Sequence, residues 1–412
     1  MLAVNGGKPV RSQPMPFREA FGDDEERAVI EAIRYYRANN IDPPYNGRFQ
    51  KELCDSFCNY MGGGYTEAVS SGTSACFIAL ASLKLPSGSE VLISPVTDSG
   101  PLHAIEMLGL KPILMDSKKR SYNIDCRSVE AKINSNTSAI FVVHAAGEPV
   151  QMLDIVEIAK RCDVKIIEDC SQAPGALVCD KKYVSCIRNC NPERRVGNFG
   201  HVAAFSTMYR KTLTAGASSG LVYTRDYETY CEIVAYADRG RPKLKPGYDK
   251  SDPGDYLYPS LNFNTDELSS AIGISSLKRL EATIQQRVDF IHGLSLQIKE
   301  NCFACSPYEF NFNMSPFYYP IFVDENKLLC DKKTFANAVK AEGIALAEHY
   351  SCIISGWEKA QKTHKLGSTP NAEWVRDNSF NLFINEKYQD DELRDIMTAL
   401  CKVEEHFKKK SD

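Results

Sequence analysis

Two hydrophobic rhythms alternate along the first half of the chain. "DDEERAVIEAIRYYR" (23–37) opens on acids and then repeats apolar residues at helical spacing, which predicts an amphipathic helix. From there to about residue 225, short apolar runs read as buried strands: "EVLISP" (90–95), "KPILMD" (111–116), "SAIFVVHAAG" (138–147), "VKIIEDC" (164–170), "VAAFS" (202–206) and "GLVYT" (220–224). Helical patterns at 74–84, 101–109 and 152–163 separate several of them. This strand–helix alternation predicts an α/β layered domain with a largely parallel sheet.

A long helical stretch over 265–301 carries the chain into a smaller unit. There the pattern gives a strand at 317–324, a helix at 332–343, a strand at 344–350 and a closing helix at 390–409. The closing helix starts on acids and ends on lysines, as its macrodipole favours. The predicted organisation is an extended arm over 1–19, a large α/β domain over 20–260 and a smaller α+β domain over 261–412.

Composition narrows the possible functions. At 412 residues two domains are the natural division, and 43% hydrophobic with 25% charged residues is ordinary for a globular protein. A net charge of −4 supplies no basic field for nucleic acid or an acidic membrane surface. No apolar run approaches bilayer length, and the Gly- and Pro-broken start "MLAVNGGKPVRSQPMPF" has no signal-like apolar core. The 15 cysteines are scattered through apolar runs, as small hydrophobes of a reducing compartment would be. A cytoplasmic location is the expectation.

Three motifs carry chemistry. In "AVSSGTSACFIAL" (68–80) a Ser-Gly-Thr-Ser turn feeds a helix, gathering unpaired N–H groups and hydroxyls where an anion such as phosphate fits. The plain alternative is that Thr73 or Ser74 caps the helix. In "VKIIEDCSQAPGAL" (164–177) a strand ends in Glu168-Asp169 at the sheet edge where open α/β folds bind ligands, with Gln172 within reach of the same ligand. In "AAFSTMYRKTLTAG" (203–216) Lys211 follows the strand that ends in Ser206. A lysine there can form an imine with an aldehyde cofactor. An anion cradle, a carboxylate to keep a heterocyclic nitrogen protonated and a reactive lysine are the fixtures that pyridoxal 5′-phosphate (PLP) requires.

With these motifs in place the sequence resembles the DegT/DnrJ/EryC1/StrS family of PLP-dependent sugar aminotransferases over nearly its whole length. "VSSGTSACFIAL", "SYNIDCRSVEAKI", "IIEDCSQAPGA", "NFGHVAAFS", "LNFNTDELSSAIG" and "NLFINEKYQDDEL" carry the resemblance. It implies the PLP-transferase fold type I, a three-layer αβα large domain with a smaller C-terminal domain. It also implies that Thr73 and Ser74 bind phosphate, that Asp169 pairs with the ring nitrogen and that Gln172 packs at the ring. Ser206 would touch the phosphate, and Lys211 would be the catalytic lysine together with Asp169. Asn262 would reach the phosphate of the other subunit, so the resemblance implies a homodimer with shared sites. The implied reaction moves an amino group from glutamate or glutamine to a keto sugar, nucleotide-linked in most of the family; a carbocyclic ketone is the alternative. Dehydratase members replace the lysine with histidine, so lysine at 211 implies transamination.

The chain also departs from the family pattern. "SPVTDSG" (94–100) stands where an aromatic residue usually stacks on the ring, leaving Asp98 in that region and His103 one turn on. "GASSG" (216–220) replaces a Gly-Glu-Gly-Gly stretch, and Phe263-Asn264 replaces Tyr-Arg. These changes motivate a competing reading, a non-catalytic sensor or scaffold with the same fold. Cys179, Cys186 and Cys190 lack the paired spacing of a zinc site, so no metal is expected. The basic run at 188–195 reads as a solvated loop. Arg239 reads as a neighbour of the pocket, and His144 as a core histidine.

Overall fold

A computed structural model describes residues 1–179 and 192–409. Cys186, Cys190 and residues 188–191 of the basic run lie outside the described residues. Two helices come first, α1 (Asp23–Asn39) and α2 (Arg48–Met61). They lead into a sheet domain of β1 (Tyr65–Val69), α3 (Gly72–Ala81), β2 (Glu90–Ile93), α4 (Ser99–Met107), β3 (Lys111–Leu114), α5 (Cys126–Glu130) and β4 (Thr137–Val143). α6 (Met152–Cys162), β5 (Lys165–Asp169), β6 (Val202–Ser206), β7 (Gly220–Thr224) and α7 (Tyr227–Ala237) complete it.

Among the described residues these strands form one seven-stranded sheet in the order β1-β7-β6-β5-β4-β2-β3. β7 runs antiparallel to both its neighbours, and the other pairings are parallel. Helices cover both faces, giving one apolar cluster with Phe57, Ile140, Ile166 and Phe205 and a second with Ile78, Val91, Phe141 and Ile167. α3, apolar all round ("GTSACFIALA"), is correspondingly buried against the sheet.

The predicted 265–301 helix is two helices, α8 (Glu267–Lys278) and α9 (Leu280–Asn301), which break at Arg279. α8 packs against α1 and α2, so it belongs to the helical layer of the large sheet. The Glu267 carboxylate holds this junction, accepting from the N–H groups of Phe49 and Gln50, each at 2.9 Å.

The smaller sheet contains β8 (Cys305–Pro307), β9 (Tyr318–Val323), β10 (Leu346–Ala347) and β11 (Ser379–Phe383), all antiparallel, in the order β10-β11-β9-β8. α10 (Lys332–Ala341), α11 (Glu358–His364), α12 (Pro370–Asn378) and α13 (Asp390–Phe407) accompany it. The arm is tied to this unit. Leu2 and Met15 enter its core, Arg11 pairs with Glu392 and Asp395, and Glu342 accepts from the N–H groups of Ala3 and Val10. No helix among the described residues is long and apolar enough to cross a membrane.

Candidate active site

Strand alternation sorts the acids at the end of β5. Successive side chains point to opposite faces of a sheet, so Glu168 shares a face with Ile166, while Asp169 shares the other with Ile167. Glu168 is fully buried and satisfied. It accepts from the N–H groups of Gly197 (2.9 Å), Phe199 (2.8 Å) and Gly200 (2.5 Å) and meets His144 Nε2 at 3.0 Å. His144 Nδ1 accepts from Val150 N at 3.0 Å, so Nε2 carries the proton given to Glu168. His144 is thus a core histidine. Of the His144–Glu168–Cys170 group, the imidazole and the carboxylate have their polar atoms committed to the fold.

Asp169 faces a cavity of about 250 Å³ at the carboxyl ends of the parallel strands. Asp169 Oδ1 accepts from Ser171 N at 2.9 Å, which fixes the carboxylate. Gln172 is anchored by its Oε1, which accepts from Ala146 N at 2.8 Å. Both side chains line the cavity with Ser71, Gly72 and Thr73 at the start of α3, Ser206 at the end of β6, and Lys211.

Ser71, rather than Thr73 or Ser74, caps α3: its Oγ accepts from Ser74 N at 3.0 Å. The Ser74 hydroxyl pairs with Ser71 Oγ (2.6 Å) and Ser70 Oγ (2.9 Å), so it braces the turn and does not line the cavity. The first-turn N–H groups of Gly72 and Thr73 have no intrahelical acceptor and point a positive helix end at this space. Gly72 is required by close approach. A Cβ there would lie 2.8 Å from Ser206 Oγ and closer still to Ser206 Cβ.

Lys211 is half-buried on a tight turn in which its N–H donates to Met208 O at 2.8 Å. Burial lowers the pKa of its amine below the ordinary lysine value, and the charges of Asp169 and Asp98 oppose that only in part. Its Nζ lies 4.4 Å from the centroid of the Phe317 ring. A buried charge cluster braces the turn from behind. Arg18 of the arm donates to the carbonyl groups of Tyr209 and Lys211 and to Thr214 Oγ1. Arg287 of α9, 1% exposed, donates to Thr212 Oγ1 (3.1 Å) and Pro316 O (3.0 Å). Glu386 joins the two, lying 2.7 Å from Arg287 Nη2 and 3.7 Å from Arg18 Nε. Burial pushes the Glu386 carboxyl up, but Arg287 and Arg18 outweigh it and bring its pKa to about 2.

The donor set fits PLP on its own chemistry. A helix N-terminus with hydroxyls suits the phosphate, a fixed carboxylate suits a pyridinium nitrogen, and an amine of lowered pKa suits an aldehyde. Thr97 adds a buried hydroxyl on the cavity wall that has no partner among the described residues. Sequence reasoning missed Thr97, although it stands in the "SPVTDSG" departure. Asp98 lines the cavity, capping α4 by accepting from Gly100 N at 3.3 Å. His103 does not line it; it is exposed and pairs with Glu106 at 2.9 Å. No aromatic side chain is among the residues that line this cavity.

Asn262 lies apart from the cavity on an exposed stretch, donating to Tyr45 Oη at 3.1 Å and accepting from Asn264. Arg239 is partly exposed and donates to Asp238 Oδ1 at 2.7 Å.

The model of the DegT/DnrJ/EryC1/StrS aminotransferase family matches residues 24–401. A GDP-perosamine synthase of Caulobacter vibrioides is 28% identical over 58% of this chain and 59% of its own length. The L-glutamine:2-deoxy-scyllo-inosose aminotransferase of Micromonospora echinospora is 32% identical over 55% of this chain and 51% of its own. In three dimensions the chain is similar to an aminotransferase from Psychrobacter cryohalolentis, with a TM-score of 0.84 at 22% identity, covering 96% of this chain and 100% of that one.

Proposed function

Because the chain belongs to the DegT/DnrJ/EryC1/StrS aminotransferase family, we propose that the Lys211 cavity is where it moves an amino group from glutamate or glutamine to a keto sugar. The family depends on PLP, and its sugar aminotransferases serve amino-sugar biosynthesis. The acceptor proposed here is nucleotide-linked, as in the dTDP-sugar transaminase of Aneurinibacillus thermoaerophilus to which the chain is also similar.

One observation carries the reading: Lys211, Asp169 and the start of α3 line the same cavity. PLP bound there would supply the electron sink for the pair left when a Cα–H bond of the donor breaks. Lys211 is the catalytic base and acid. Its amine, lowered by burial, would take the proton from the donor's Cα and, in the acceptor half-reaction, deliver a proton to the former carbonyl carbon of the ketone. Asp169, held by Ser171 N–H, would keep a proton on the ring nitrogen. Gly72 and Thr73 N–H groups with the hydroxyls of Thr73 and Ser206 hold the phosphate, and Ser74 keeps their turn in shape. Gln172, anchored at Ala146, packs at the ring.

We further propose a homodimer in which Asn262 reaches the phosphate of the second copy. Exposed Tyr256, Leu257 and Leu261 close to it in sequence support such a contact. The cytoplasm is the proposed location, in keeping with the free thiols among the described residues.

The test is spectroscopic. The purified protein absorbs as a PLP enzyme, L-glutamate or L-glutamine bleaches the visible band, and keto acid appears in equal amount. Borohydride reduction followed by peptide mapping places the cofactor on Lys211. A cofactor fixed elsewhere, or a band indifferent to every amino donor, refutes the proposal.

A further inference from the structure

β1 is an outer strand of the large sheet. A cavity of about 690 Å³ lies there, lined by Tyr65 and Glu67 of β1, by Cys54 and Cys58 of α2, by Asn46 just ahead of α2 and by Tyr230 of α7. It shares no lining residue with the Lys211 cavity. Its volume falls in the range of small-molecule sites, about 300–1,000 Å³. We propose that this cavity binds a small organic cation of the ammonium type, its positive nitrogen set against the Glu67 carboxylate and the Tyr65–Tyr230 pair.

The Glu67 side chain is buried, 4% exposed, and among the described residues its one hydrogen-bond donor is Asn46 Nδ2, at 2.8 Å on Oε1. It forms no ion pair among them. The nearby cations are committed elsewhere. Lys243 Nζ lies 2.9 Å from Asp238 Oδ2 and donates to Asn46 Oδ1 at 2.6 Å, and Lys51 pairs with Asp55. Buried carboxylates are ordinarily paired, and this one lines open space with one oxygen unmatched. Burial accordingly raises its pKa to about 7, against the opposing pull of Asn46 and Lys243. A cation in the cavity supplies the missing partner.

The remaining walls select the kind of cation. Among the described residues, metal-ligating atoms converge only in the His144–Glu168–Cys170 group, so Cys54, Cys58 and Glu67 do not close round one ion. Burial pushes both thiols up, so they stay neutral at pH 7 and add no charge for a metal. The Tyr230 hydroxyl, also raised by burial, stays neutral too. Tyr65 and Tyr230 stack at 5.1 Å with 19° between their planes, and the face of such a ring attracts an organic cation.

The PLP-loaded protein is titrated by calorimetry with choline, whose quaternary nitrogen cannot react with an aldehyde. Its uncharged counterpart of the same shape is 3,3-dimethylbutan-1-ol. The expected result is saturable binding of choline and none of the alcohol. Affinity should be about tenfold higher at pH 8 than at pH 6, because Glu67 must first lose its proton near pH 7. Glu67→Gln should weaken choline binding about tenfold or more, as when one partner of a buried charge pair is removed. Urea unfolding without choline separates a binding carboxylate from a structural one. A folded pKa raised above the ordinary 4.5 lowers stability as pH climbs from about 4.5 to 7, and the loss is complete above 7. E67Q should therefore be at least as stable as wild type at pH 8 while it fails to bind choline. Equal binding of the alcohol, no saturable heat with choline at pH 8, unchanged affinity in E67Q, or an E67Q less stable than wild type at pH 8 overturns the proposal.

Discussion

Glu386→Gln removes one charge from the cluster behind the Lys211 turn and leaves the side-chain shape nearly unchanged. In the native protein Glu386 is buried between Arg18 and Arg287 with a pKa of about 2, against an ordinary 4.5. That difference corresponds to about 3 kcal/mol of native-state stability at neutral pH. It agrees with the roughly 3–5 kcal/mol lost when one partner of a buried ion pair is removed. The folded value is depressed, so this stability is fully present above pH 4.5 and disappears as pH falls through about 2. At pH 3 about 1 kcal/mol remains. Urea unfolding of wild type and E386Q, at fixed protein and cofactor concentration, should therefore show a gap of about 3 kcal/mol at pH 7 that narrows to about 1 kcal/mol at pH 3. The donor half-reaction should slow as well, because Arg18 would lose its tether while still contacting the Lys211 carbonyl. A gap below about 1 kcal/mol at pH 7, the value of an exposed pair, or a gap unchanged at pH 3, would refute the reasoning.

Gly72→Ala drives a methyl group into Ser206 and should abolish stoichiometric cofactor retention, measured by the visible band after dialysis. Asp169→Asn should bind cofactor but slow Cα-proton removal roughly 10²–10⁴-fold in single-turnover absorbance with glutamate; an unchanged rate would remove Asp169 from the mechanism. Asp98→Asn removes a charge that favours the protonated amine, so Lys211 in cofactor-free protein should titrate at lower pH than in wild type. The pH dependence of its labelling by an acylating reagent reads this, and an upward move would contradict it. His144→Phe strands Val150 N–H, at about 1–3 kcal/mol, and takes one of two donors from Glu168 Oε2, with no change in the pH profile of the donor half-reaction.

The sheet was legible where burial on both faces writes continuous apolar runs, as in β4 and β5. β1 was not, because "YTEAV" places Thr66 and Glu67 in a strand at the sheet edge, where its pairing to β7 rather than its composition decides its state. α2 was overlooked although "RFQKELCDSFCNYM" sets Phe49, Leu53, Cys54, Phe57 and Met61 at helical spacing, the stripe that it buries as it packs with β1 and α8. The break at Arg279 interrupts a pattern that reads as continuous, and sequence spacing carries no mark of the change in direction. At the site, Asp169, Gln172, Ser206 and Lys211 were readable because each ends a strand or opens a turn. Arg18, Arg287 and Glu386 were not, since residues 18, 287 and 386 meet only after the arm, α9 and the segment after β11 have packed together. Thr97 was hidden by its ordinariness: a threonine becomes noteworthy only once its hydroxyl is seen buried without a partner.

The first nineteen residues look like the kind of leader that is trimmed when an expression plasmid is drawn up. In this fold they are a strap fastened at both ends, Leu2 in the core of the small domain and Arg18 on the carbonyl of Lys211. Shortening the chain there would leave the small sheet with an open notch and the lysine turn without its rear support, so a clipped preparation could look folded and coloured yet turn over poorly.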